Sequence, residues 1–115
     1  MCDEFKRFLN DVMIAIINED KSISYLLNKQ YENSVMEKLE FTGVGFYAEY
    51  RVINQNFKLK DKPNLELGNV QVKLASLKCG IGFVLYIKGG FITMLEGFTY
   101  DEPFPEKICG YTLSE

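Results

Sequence analysis

IGFVLYIKGGFITMLEGFTYDEPFP, residues 81–105, decides the fold. Two apolar runs, residues 82–88 and 91–98, flank Gly89-Gly90. Both central residues of a primed two-residue turn need positive φ, and glycine adopts it without a Cβ penalty. The stretch therefore predicts an antiparallel hairpin. An acidic, aromatic loop comes next and is stopped by Pro103 and Pro105. Within the second strand Glu96 stands among apolar residues, where a carboxylate without partners is costly.

Working upstream, residues 67–74 set Val70, Val72 and Leu74 against Asn69, Gln71 and Lys73. Residues 44–52 set Val44, Phe46, Ala48, Tyr50 and Val52 against Gly45, Tyr47, Glu49 and Arg51. Each alternation predicts a strand with one core face and one wetter face. Residues 54–64 mix Asn, Lys, Asp and Pro63 and read as an exposed loop. Before them the period changes. Phe5, Phe8, Leu9, Val12, Met13, Ile16 and Ile17 recur every three or four residues, which predicts an amphipathic helix with Asp3 as N-cap. Asn18 and Glu19-Asp20-Lys21 interrupt it. A second helix opens near Ser22 or Ser24 and turns Ile23, Leu26, Leu27 and Tyr31 inward. Two endings stay open: it runs on through Val35, Met36 and Leu39, or polar residues 30–34 break it. Helices followed by strands give an α+β fold, with N-terminal helices packed on one face of a mostly antiparallel sheet of about four strands. The 115 residues, 47% of them apolar, fit one domain over residues 1–115 with a full core.

Composition removes several function classes. The formal charge is −3, and the nearest approach to a basic run, Lys58, Lys60 and Lys62, is interrupted by Asp61. Binding to nucleic acid or an anionic membrane lacks its electrostatic footprint, whereas a basic protein partner suits the balance. No apolar run reaches membrane-spanning length, and the acidic MCDEFKRF start lacks the pattern of a signal peptide, so the expected location is cytoplasmic. Cys2, Cys79 and Cys109 are far apart with no CxxC spacing and read as reduced thiols, without a zinc clip or disulfide framework. Histidine is absent, which excludes Ser-His-Asp and Cys-His nucleophiles and His-ligated metals. The acids show no cage spacing, and the Gly43/Gly45 and Gly80/Gly82 pairs lead into no helix with Lys-Ser/Thr. No metal, cofactor or catalytic residue is assigned.

Two constellations remain. Strict alternation puts Ile92, Met94, Glu96, Phe98 and Tyr100 on one face of the second hairpin strand, and Phe91, Thr93, Leu95, Gly97 and Thr99 on the other. Glu96 is either a site residue or a structural partner of Arg51, Lys73 or a backbone amide. The loop holds Tyr100, Asp101, Glu102, Phe104 and Glu106 between stiffening prolines. It reads as a recognition surface, with Tyr100 and Phe104 as anchors and Asp101, Glu102 and Glu106 steering a basic partner. The alternative folds Phe104 into the core and leaves the acids solvated.

The run FTGVGFYAEY, with MLEGFTY (residues 94–100), Glu102-Pro103 and Pro105 after it, resembles a pattern in small, mostly uncharacterised bacterial cytoplasmic α+β proteins. That resemblance implies no catalytic role. In size, acidity and helix-then-sheet order the chain is also similar to immunity proteins of bacterial toxin systems, which implies a toxin as the basic partner. The expectation is thus a non-enzymatic protein-binding module, an immunity protein that occludes a basic active site through Glu96, Tyr100, Asp101, Glu102, Phe104 and Glu106. Two alternatives stand beside it. One is a small-molecule binder or small enzyme using Glu96 as acid or base with Tyr47 or Arg51. The other is a homo-oligomer held by strand edges.

Overall fold

A computed structural model describes residues 3–108 and 110–114, with side chains from residue 4 onward; the N-cap assigned to Asp3 and the thiols of Cys2 and Cys109 lie outside the described residues. Helix α1 (Asp3–Ile17) presents its apolar stripe as expected: Phe5, Phe8, Leu9, Val12, Met13, Ile16 and Ile17 are all buried. Asp20 closes the turn after it by accepting from the amide and hydroxyl of Ser22 at 3.0 and 2.7 Å. Helix α2 (Ser24–Glu32) then buries Leu27 and Gln30. It ends at Asn33, whose amide reaches the carbonyls of Lys29 and Gln30, while the Asn33 side chain donates to Lys29 O at 2.8 Å and Ser34 Oγ to Tyr31 O at 2.8 Å. Side chains that satisfy the last carbonyls stop a helix there.

The next element is a strand, β1 (Ser34–Phe41), and not a continuation of the helix through Val35, Met36 and Leu39. It pairs antiparallel with β2 (Gly45–Val52), and the register slips between Met36 and Lys38. One residue extra at Glu37 spaces the inward side chains Met36 and Leu39 three apart, so a bulged strand imitates helical periodicity. On β2 the expected alternation holds from Phe46 to Val52, with Phe46, Ala48 and Val52 buried and Tyr47, Glu49 and Arg51 exposed; Val44, expected on the core face, precedes the strand and is exposed, and Gly45, expected on the wetter face, is buried.

The sheet has seven strands rather than about four, all paired antiparallel: with β3 (Leu65–Leu67), β4 (Gln71–Lys73), β5 (Ile81–Lys88), β6 (Phe91–Thr99) and β7 (Thr112–Ser114) the order is β1-β2-β6-β5-β4-β7, and β3 also pairs with β5. The expected strand over residues 67–74 is two short pieces, β3 (Leu65–Leu67) and β4 (Gln71–Lys73), separated where Glu19 accepts from Asn69 N at 2.8 Å. Strand β7 (Thr112–Ser114) adds to β4, and Tyr111 beside it anchors the tail by donating to Asp11 at 2.6 Å. The hairpin forms as expected from β5 (Ile81–Lys88) and β6 (Phe91–Thr99), with Gly89 and Gly90 at φ 59° and 88°. A second slip, between Tyr86 and Ile87, leaves Thr93 unopposed on β6. It corrects the strict alternation: Ile92 faces the core with Leu95, and Met94, Glu96, Phe98 and Tyr100 face outward.

Gln30 fastens the two layers. Its side chain is fully buried, donates at 2.8 Å to both Phe57 O and Gly90 O, and accepts from Ile92 N at 2.8 Å. One amide thus joins α2 to the hairpin turn and to the 3-10 turn Gln55–Phe57. The turn is held from outside as well, through Leu59 N to Gly90 O and Gly90 N to Pro63 O.

Gln30→Leu keeps the volume and leaves the half-buried carbonyl of Phe57 and the buried amide of Ile92 without a partner, while Gly90 O keeps only its bond from Leu59 N. We expect a loss of about 3 kcal/mol in urea unfolding with an unchanged m-value. A loss below about 1 kcal/mol, the value of one ordinary hydrogen bond, would show that the layers hold without it.

Candidate functional site

The helices cover one face of the sheet; the other carries a row of rings around one carboxylate. Glu96 lies opposite Tyr47 on β2 and Val84 on β5, and accepts from the Tyr86 hydroxyl at 2.9 Å. Neither basic partner considered for it is engaged: Arg51 Nε donates to Glu37 at 2.7 Å instead. Hydrogen bonding to Glu96, helped by desolvation and that carboxylate's charge, pushes the Tyr86 phenol up to about 12. The negative charge of Glu96 is also the main reason Tyr47 sits above its ordinary value. Further along β6, Phe98 and Tyr100 pack edge to face at 5.5 Å and lie across Gly82, where an added Cβ would come within 2.8 Å of the Phe98 ring.

The loop after β6 is stapled to the β1–β2 turn. Thr99 donates to Val44 O through its amide at 2.9 Å and its hydroxyl at 3.0 Å, the hydroxyl also contacts Glu102 O, and Phe104 N donates to Gly43 O at 2.8 Å. Asp101 takes a positive φ of 58° and points its carboxylate to solvent. Glu102 is committed elsewhere: it accepts from the amides of Lys78 and Cys79 at 3.0 to 3.2 Å and so caps that turn. Phe104 does fold back, half-buried, with its ring 5.6 Å from Phe46 and 6.1 Å from Phe41. With Phe41, Pro105 and Glu106 it lines a cleft of two adjoining lobes, about 320 and 250 Å³, and Phe5, Leu39 and Ile108 close the inner lobe.

The six residues singled out from the sequence therefore divide. Glu96 and Tyr100 belong to the open sheet face, Asp101 to the corner, Phe104 and Glu106 to the cleft, and Glu102 to the support beneath. Residues not singled out for recognition complete the surface. Phe41 and Val44, at the turn that the loop is tied to, are each 55% exposed, and Tyr47 adds an exposed ring beside Glu96 on the other face. The signal available was FTGVG, a glycine turn between large apolar residues, which a strand reading alone does not mark as a surface. Among the described residues Glu96, Asp101, Glu102 and Glu106 enter no ion pair, and the exposed pairs lie beyond them, on Lys29, Lys38, Arg51 and Lys62.

Other chemistry finds less to work with. Among the described residues no three Cys, Asp or Glu side chains converge to hold a metal ion, and no helix is long and apolar enough to cross a membrane. Cys79 is exposed and unpaired. A wider groove of about 540 Å³ runs between the helices and β1, where the Tyr31 hydroxyl is engaged within the fold, donating to Asn10 at 3.0 Å, and its ring packs against Tyr50. No family model, curated protein or solved structure matches the chain.

The Tyr86–Glu96 bond has a pH signature. The folded phenol titrates near 12 and the unfolded one near 10, so the stability it contributes is complete below pH 10 and is lost as pH rises through about 12. In difference titrations against Tyr86→Phe, Glu96→Gln should bring the Tyr86 midpoint back toward 10. A midpoint that stays near 12 would assign the shift to burial alone.

Proposed function

We propose that this chain is a non-enzymatic protein-binding module that docks a basic partner at the end of the sheet where the β1–β2 turn meets the loop of residues 100–106. The supporting observation is a gathering. At this end of the sheet exposed rings and unpaired acids stand on both faces: Phe41 and Glu106 on the helix side, Tyr47, Glu96 and Tyr100 on the open side, with Val44 and Asp101 in the turns between, and none of these acids has an ion-pair partner among the described residues. Clustered exposed apolar side chains mark protein-interaction sites, aromatic anchors carry most of the affinity, and unpaired charge steers a partner of opposite sign. The specific form of the proposal is immunity-type occlusion. A nuclease-like toxin needs a basic cleft to hold phosphates, and an acidic aromatic corner can fill it in their place. Glu96 supports this reading over acid–base catalysis, because its carboxylate is tied to Tyr86 on an open face and lines neither lobe of the cleft.

The test is capture from a lysate of the source organism on immobilised wild-type chain and on an Asp101→Lys, Glu106→Lys double variant. The reading expects a basic protein whose enzymatic activity falls in proportion to the chain added. It expects the double variant to associate about tenfold more slowly at low salt, with a flatter salt dependence. An acidic captured protein, or an association rate indifferent to both substitutions, would reject it.

A further inference from the structure

Strand β1 is an edge of the sheet. Its bulge at Glu37 disrupts one half, but residues 38–41 pair with β2 in regular register: Lys38 with Glu49, Leu39 with Ala48, Glu40 with Tyr47 and Phe41 with Phe46. Among the described residues no strand pairs with the outer edge of that half. Leu39 and Phe41, its two inward residues, are also walls of the cleft beside it. A strand laid along residues 38–41 would lie about 4.8 Å from β1 and turn every second side chain toward the cleft mouth.

The lining selects what that side chain is. Phe41 and Phe104 pack against each other with centroids 6.1 Å apart and planes tilted by 49°, forming an aromatic wall, Pro105 and Leu39 add apolar surface, and the one charged lining residue is Glu106, exposed and unpaired among the described residues. A long apolar stem ending in a planar cation suits each wall. Its guanidinium stacks on the rings and its fork meets the carboxylate, which an ammonium does less well. We infer that an extended, arginine-bearing segment of the basic partner adds to β1 along residues 38–41 and seats its arginine in the Phe41–Phe104–Glu106 cleft. The inference rests on the docking function proposed above and adds the binding mode and the anchor residue.

The probe is a blocked pentapeptide, acetyl-Thr-Val-Arg-Val-Thr-amide, titrated into the ¹⁵N-labelled full chain. Saturable shifts and slowed exchange should appear at the amides of residues 38–41, with shifts at Phe104 and Glu106. A norleucine peptide should bind about fivefold more weakly, and Glu106→Gln should erase most of that preference. Silence at residues 38–41 at millimolar peptide overturns the strand addition, and equal binding of the norleucine peptide overturns the cation seat. If capture of the basic partner survives while the peptide is silent, only this binding mode falls. If the peptide binds while capture ignores Asp101 and Glu106, the binding mode stands and the wider docking surface falls.

Discussion

The amide of Gln30 is the point on which the two layers of this protein turn. A side-chain amide with no exposure has to recover in the fold the hydrogen bonds it gave up in water, or cost several kcal/mol. Gln30 recovers them from three segments far apart in sequence: the 3-10 turn at Phe57, the hairpin turn at Gly90 and the start of β6 at Ile92. Each partner is a backbone group that a two-residue turn or a short loop leaves without a ladder mate. The bond set is therefore reciprocal. The helix places the amide, the 3-10 turn and the hairpin turn each give it one carbonyl, and positive φ at Gly89 and Gly90 lets the hairpin turn bring its carbonyl inward. An apolar residue would fill the same space but could not fix the rotation of α2 against the hairpin, since hydrophobic contact is not directional.

Gln30 also shows where sequence reasoning runs out. In the chain it is one polar residue in the stretch 30–34, a reason to end a helix, and nothing local announces that it is buried. By contrast the α1 stripe, the alternation of β2 and the Gly89-Gly90 turn were legible because each is set by period or by φ alone. Two bulges hid part of the pattern. Glu37 and Thr93 each insert one residue into a strand, and each insertion changes the apolar spacing from two to three. At β1 that disguised a strand as the continuation of a helix. At β6 it moved Ile92 to the core face while leaving Glu96 outside. Residues 67–74 alternate as one strand would, and nothing local marks the break between β3 and β4, while β7 at three residues is too short for a period to show.

The candidate surface was legible in chemistry and not in geometry. Residues 100–106 announce acids, rings and prolines, but their directions are set by bonds to distant backbone. Glu102 turns toward the amides of Lys78 and Cys79, and Phe104 is drawn in by Gly43. The same bonds bring Phe41 and Val44 beside the loop, a meeting of segments far apart in the chain that no local pattern encodes. A recognition surface assembled from two turns in this way is stiffer than either alone, and a stiff surface loses less conformational entropy when it is covered.

Edge strands are open to unwanted pairing, and bulges and charges are the common defences. β1 uses both, with the bulge at Glu37 and the charged side chains of Glu37, Lys38 and Glu40 on its outward side. The defence is uneven. The bulge disturbs the middle of the strand, while the half that ends at Phe41 keeps regular register, and on its inward side the tail residues Phe104 and Pro105 stop short of filling the space. Phe104 is held by its own amide to Gly43 and its ring packs on both Phe46 and Phe41, so it forms one wall of the cleft. A half-defended edge beside an open cleft leaves backbone and apolar surface unsatisfied in one place, and a second chain can satisfy both at once.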